Sequence, residues 1–177
     1  LTRDSASPGD EIAVTGSLGC SAGGLRMMSE GLSFDSDTAG HLARAHNRPV
    51  ARVPEGMALG RSGVVTAMDI SDGLLDDLGK LCTASGVAGR INSDRVPIDD
   101  VLRSAFPDDC LRLALTGGED YELLFTAPAG VISRACESLN VPVSVIGEVL
   151  EGPPKVTVLD EHGDALQLDA GGWDHFR

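Results

Sequence analysis

Aromatic residues are scarce in this chain: one Trp, one Tyr and four Phe make up 3% of its 177 residues. A core must therefore come mostly from Val, Leu, Ile and Ala. Long hydrophobic runs are missing too, and nothing approaches the ~20 consecutive apolar residues of a membrane-spanning helix. No charged start followed by an apolar stretch is visible, so no secretory signal is expected. Basic residues are few: the net charge is −13, which excludes a phosphate-backbone partner such as nucleic acid. It does not exclude a nucleotide, because bound Mg2+ reconciles carboxylates with phosphates. The cysteines Cys20, Cys82, Cys110 and Cys136 lie far apart with no C-x-x-C pair. They argue against a disulfide framework or a zinc site and for a reducing cytoplasm, with the thiols serving as small buried hydrophobes. Walker A and G-x-G-x-x-G sequences, internal repeats, low-complexity tracts and linkers are all lacking.

What is present suits a folded domain. Hydrophobic residues make up 42% and charged residues 23%, the balance of a soluble globular protein, and the length fits one domain or a tight pair. The centre of interest is Val64-Val65-Thr66-Ala67-Met68-Asp69-Ile70-Ser71-Asp72-Gly73-Leu74. It opens as the apolar run of a buried strand, turns polar, and passes through Gly73 into the helical spacing of Leu74, Leu75, Leu78 and Leu81. Asp69 and Asp72 thus stand at a strand-to-helix junction, where carboxylates can hold a hard divalent cation. An N-cap role for Asp72 is the competing explanation, although it leaves Asp69 and Ser71 unaccounted for.

Around this centre the chain alternates strands and helices. Strands are expected at Glu11–Thr15, Ala88–Asn92, after Glu122, and at 141–149. Helices are expected near 25–32, at 38–47, briefly from Pro54 to before Gly60, from Leu74 through Ser85, and at 98–106 and 131–139. Residues 156–159 and 165–168 read as a hairpin with His162 in its turn, and His41 and His46 as surface or packing residues. The intermingling lacks a strict βαβ rhythm, which points to an α+β fold with a mixed sheet. Gly16–Gly24 forms a glycine-rich stretch after the first strand, suited either to anion contact at a helix N-terminus or to close helix–strand packing. Within it, Gly19-Cys20-Ser21-Ala22-Gly23 matches the G-x-S-x-G nucleophile elbow, with His162 and His175 following in hydrolase order. Leu115-Thr116-Gly117-Gly118-Glu119-Asp120-Tyr121-Glu122 places Glu119 and Asp120 at a strand entrance. Gly172-Trp173-Asp174-His175-Phe176 carries the only Trp.

Four stretches together, Gly9-Asp10 through Gly24, Asp69-Ile70-Ser71-Asp72-Gly73-Leu74, Gly117-Gly118-Glu119-Asp120-Tyr121-Glu122-Leu123 and Gly172-Trp173-Asp174-His175-Phe176, resemble the C-terminal domain of the thiamine-monophosphate kinases. These belong with aminoimidazole ribonucleotide synthetase, selenophosphate synthetase and the hydrogenase maturation factor HypE. The resemblance covers essentially the whole chain. It implies a mixed sheet with helices on both faces and ATP-dependent phosphorylation of thiamine monophosphate to thiamine diphosphate. It further implies Mg2+ on Asp69 and Asp72, ATP on Arg3 and Ser71, and thiamine held by Glu119 or Asp120 together with Trp173. Residues 1–177 would be a single C-terminal domain. The family's N-terminal domain, which supplies further Mg2+ ligands and most of a homodimer interface, would be absent, leaving this chain inactive by itself. A serine hydrolase using Ser21 and a non-catalytic nucleotide-binding module are the alternatives.

Overall fold

In the computed structural model, which describes residues 1–166, the strand alternation of Glu11-Ile12-Ala13-Val14-Thr15 determines which core each side chain enters. This strand, β1 (Glu11–Thr15), sends Ile12 and Val14 to one face and Ala13 to the other, as the two-residue period of a strand requires. Five further strands join it: β2 (Thr66–Asp69), β3 (Ala88–Asn92), β4 (Leu123–Ala127), β5 (Val143–Leu150) and β6 (Lys155–Leu159). Their order across the sheet is β2-β4-β1-β5-β3-β6. All neighbours are antiparallel except β3 and β6, so the sheet is mixed.

Helices cover both faces. On the Ile12 and Val14 side, α4 (Leu74–Ser85) and α6 (Cys110–Thr116) bury Leu74, Leu78, Leu81 and Leu115 against Ile70, Leu124 and Ile146. On the Ala13 side, α3 (Val53–Ser62) and α7 (Ala129–Ser138) bury Leu59, Ile132 and Ala135 against Phe125. A third cluster gathers Met27, Leu42, Leu102, Phe106 and Leu113 from α1 (Cys20–Glu30), α2 (Ser36–Asn47), α5 (Asp100–Ala105) and α6. Scarce aromatics leave these cores aliphatic, with Phe125 the largest fully buried side chain among the described residues.

Several sequence expectations shift. α1 begins at Cys20, five residues earlier than its periodicity predicts, because Gly23 and Gly24 are helical. They are glycines because α2 crosses there: a Cβ on Gly24 would stand 2.2 Å from the Leu42 carbonyl oxygen. The close packing is thus helix on helix and not helix on strand. α3 runs through Gly60 to Ser62, and α6 is a helix that the sequence pattern did not disclose. The apolar run from Val64 reads as a buried strand, yet β2 lies at the sheet edge and Val65 just before it is 59% exposed. The N-terminal segment covers part of that edge, since Thr2 donates to the Val65 carbonyl and accepts from the Ala67 amide. Cys20, Cys82 and Cys110 are buried as expected, but Cys136 is exposed. The expected hairpin is present as a bridge between Leu159 and Ala165 around an exposed His162. Its residues 167–168, like Trp173 and His175, lie outside the described residues. Among those described, no helix is long and apolar enough to cross a membrane.

Candidate functional site

The Asp69–Gly73 loop leaves the edge strand β2 and enters α4 through Gly73, which provides no side-chain cap. Asp72 does not cap the helix either. Its carboxylate pairs with the Lys80 ammonium of α4. The loop is shaped by a residue that pattern reading passed over, Asp77. Fully buried in the first turn of α4, Asp77 accepts the amides of Ser71 and Asp72 through Oδ2, both at 2.9 Å, and Lys80 through Oδ1, also at 2.9 Å. Asp72, Asp76 and Asp77 thereby bring carboxylate oxygens within 4.8 Å of one another, with Lys80 bonded to all three. Burial alone would lower the pKa of Lys80, but these carboxylates overcome that and hold it above its ordinary value. The oxygen donors suit a hard cation by type. Asp69 is not among the three and stands exposed at the end of β2.

The second loop, Gly117–Glu122, lies directly on the first. Glu119 donates its amide to the Ser71 carbonyl and Tyr121 donates to the Ile70 carbonyl, each at 2.9 Å, while Ile70 donates to the Glu122 carbonyl at 2.8 Å. The approach is so close that a Cβ on Gly118 would come within 2.5 Å of the Ser71 oxygen. Glu119 (φ 68°) and Tyr121 (φ 51°) both take the left-handed conformation. That costs a non-glycine residue about 1–2 kcal/mol, and such strain gathers at functional sites.

Alternating conformations send the acids of this loop in different directions. Glu119 is exposed. The Tyr121 phenol is pushed above its ordinary value by the charge of Glu119 first, then by burial, and further by Asp69 and Asp72. Asp120 turns inward to the start of α1, accepting the amides of Gly19 at 2.8 Å and Ser21 at 3.4 Å. Burial pushes its carboxyl up to about 7, while the two amides pull the other way. The anion site suggested by the glycine-rich stretch is thus occupied by the protein's own carboxylate. Glu122, buried and also missed by sequence reading, receives both prongs of the Arg52 guanidinium at 2.6 and 2.8 Å, and the Thr15 hydroxyl at 2.6 Å.

Arg3 is exposed and lines an open groove of about 540 Å³ with Asp76, Gly79, Lys80, Thr83 and Ala84. The groove thus joins two cations to the acid cluster. Ser71 is half-buried on the junction loop.

The nucleophile elbow does not have the geometry of one. Ser21 is 1% exposed, and its hydroxyl meets His46 Nδ1 at 3.1 Å, not His162, which sits in the turn after β6. Burial first, then the charges of Asp99 and Asp120, raise the neighbouring Cys20 thiol to about 12, which leaves it inert as a nucleophile.

Residues 7–159 match the family described as AIR synthase related protein, C-terminal domain. The chain belongs to that family. Thiamine-monophosphate kinase of Escherichia coli strain K12 is 41% identical over 181 residues, covering 99% of this chain and 55% of that protein. A crystal structure of thiamine-monophosphate kinase from Stenotrophomonas maltophilia K279a superposes with a TM-score of 0.81 at 38% identity, covering 94% of this chain and 54% of that one. AaThiL complexed with AMPPCP and TMP superposes equally well, with a TM-score of 0.81 at 34% identity over 98% of this chain and 53% of that one. The chain spans about half the length of the curated relatives it matches.

Proposed function

We propose that this chain is the C-terminal domain of an ATP-dependent kinase that converts thiamine monophosphate to thiamine diphosphate. The observation that carries this reading is the interlocking of the Asp69–Gly73 and Gly117–Glu122 loops through backbone hydrogen bonds, which brings the loop bearing Asp69 and Asp72 against the loop bearing Glu119. It is supported by the relatives of that name and by the neighbour bound to AMPPCP and TMP.

Phosphoryl transfer asks a protein mainly for positioning and charge neutralisation. The phosphate of thiamine monophosphate is itself the nucleophile, so no side chain needs to attack. Asp69 and Asp72 would hold Mg2+, which when bound neutralises the negative charge of the phosphates. The oxygen-only donors fit that ion, and Lys80, bonded to Asp72, adds a positive charge at the rim of the same groove. Arg3, which lines the groove together with Lys80, takes the role of a phosphate clamp, and Ser71 offers the nucleotide a hydroxyl from the junction loop.

Of the two acids that could meet the cationic thiazolium, we assign Glu119. It is the exposed one, whereas Asp120 spends its oxygens on the start of α1. Trp173 would supply an aromatic face to the same cation. An N-terminal domain completes the site in the whole protein, which works as a homodimer in the cytoplasm. This chain alone is then inactive.

The test uses the whole protein, with this chain joined to its N-terminal partner. Asp72→Asn should lower turnover of thiamine monophosphate by about 100-fold or more, since even indirect supports of a metal site are worth roughly 10–100-fold. Unimpaired turnover would overturn the assignment, and a non-catalytic nucleotide-binding module would show no turnover to lose. Ser21→Ala should leave turnover largely intact, whereas a serine hydrolase would lose its activity.

A further inference from the structure

Away from these loops, three side chains from three helical segments converge: Cys20 at the start of α1, His41 in the middle of α2 and Asp99 at the N-cap of α5. Cys20 Sγ lies 3.8 Å from His41 Nε2, and His41 Nε2 lies 3.5 Å from Asp99 Oδ2. All three ligand atoms fall within 4.8 Å of one another. Sequence spacing gave no hint of this, since 21 residues separate the first pair and His41 has no partner on its own helix face.

The separations decide what the cluster suits. An imidazole N–H bonded to a carboxylate settles near 2.7–3.2 Å, and 3.5 Å lies beyond that range. Tetrahedral zinc with ligand bonds of about 2.0–2.3 Å sets neighbouring ligand atoms roughly 3.3–3.6 Å apart. The two spacings at His41 Nε2, 3.8 Å to Cys20 and 3.5 Å to Asp99, are within a few tenths of an ångström of those edges. Asp99 commits its other oxygen, Oδ1, to the Val101 amide at 2.8 Å, which orients Oδ2 toward His41. The cluster is buried at Cys20 and opens at His41, whose side chain is 44% exposed. A cation can therefore enter from solvent and keep a water as its fourth ligand.

We propose that Cys20, His41 and Asp99 form a binding site for a borderline-soft divalent cation of the zinc type. One thiolate, one imidazole and one carboxylate are the donors such ions select, and they differ from the oxygen-only set around Asp72. On binding, the cation replaces the thiol proton of Cys20, which is released to solvent, and a sulfur–metal bond forms with no change of oxidation state. The site ties α1, α2 and α5 together beside the segment that receives Asp120, so metal binding stiffens that corner of the fold.

The test is a Co2+ titration of chelator-treated protein carrying Cys136→Ser, which removes the exposed thiol. A sulfur-to-cobalt charge-transfer absorption should appear in the near ultraviolet, and Zn2+ should abolish it by displacement. Adding Cys20→Ser should remove that absorption, and adding His41→Ala should weaken binding by at least about tenfold, with circular dichroism unchanged in both. Lack of the absorption in the parent, or its persistence after Cys20→Ser, would overturn the proposal. Should Cys20→Ser not fold, the half-exposed His41→Ala decides, and unaltered Co2+ affinity there refutes the site.

Discussion

Asp77 holds Asp72 by its backbone: the buried carboxylate of the one accepts the amide hydrogen of the other at 2.9 Å. The same oxygen takes the Ser71 amide, also at 2.9 Å. A fully buried acid in the first turn of α4 thus sets the shape of the loop that presents Asp72. Asp77→Ala strands both amides and leaves Lys80 with one carboxylate fewer. We expect a loss of about 3 kcal/mol, read by chemical denaturation, and a smaller loss for Asp77→Asn, which keeps one acceptor. Equal stability of the alanine variant and wild type would show that the loop does not depend on this residue.

Arg52 and Glu122 are 70 residues apart in sequence and bonded by both prongs, with only 20% and 8% of their side chains exposed. Removing either leaves a largely buried charge without its partner. Glu122→Ala should cost about 3 kcal/mol, since it also orphans the Thr15 hydroxyl. The double variant Arg52→Ala with Glu122→Ala should cost clearly less than the two single losses added together. Strict additivity in urea unfolding would mean that the pair is not coupled.

Asp120 makes stability depend on pH in an unusual direction for an acid. Its pKa in the folded state, about 7, lies above its ordinary 3.8, so the folded state keeps this proton to higher pH than the unfolded chain does. The stability it contributes is therefore complete below about pH 4 and is lost as pH rises to about 7. Asp120→Asn lacks that term. The melting temperature of the variant minus that of wild type should climb between pH 4 and 7 and level off above. A flat difference across this range would contradict the elevated value.

Lys80 neutralises the Asp72, Asp76 and Asp77 cluster. Lys80→Met removes a cation that competes with any divalent ion for those oxygens. Without nucleotide, Mg2+ should bind roughly two- to fivefold more tightly, a modest gain because the lysine is partly exposed to solvent. Calorimetric titration measures this, and weaker binding in the variant would show that the ammonium does not compete.

The parts of the site that were legible in the sequence are local ones. A short apolar run, a polar break and a helical spacing after Gly73 are enough to put Asp69 and Asp72 at a strand-to-helix junction, because strand and helix periods are written in neighbouring residues. The same holds for β1, β3, α2 and α4, whose limits fall within two residues of expectation. Gly23 and Gly24 misled for a physical reason: glycine usually signals a loop, yet here it lets α1 and α2 touch.

Partnership across the chain was not legible. Nothing near Glu122 points to Arg52, nothing near Cys20 points to His41 and Asp99, and the inward turn of Asp120 beside the outward Glu119 depends on two strained backbone angles. Residue types and local spacing set the elements and named most of the chemistry. Which carboxylate meets solvent, which caps a distant helix and which pairs with a cation was decided only when the sheet brought β4 beside β1 and β2, since burial and charge pairing depend on neighbours in space.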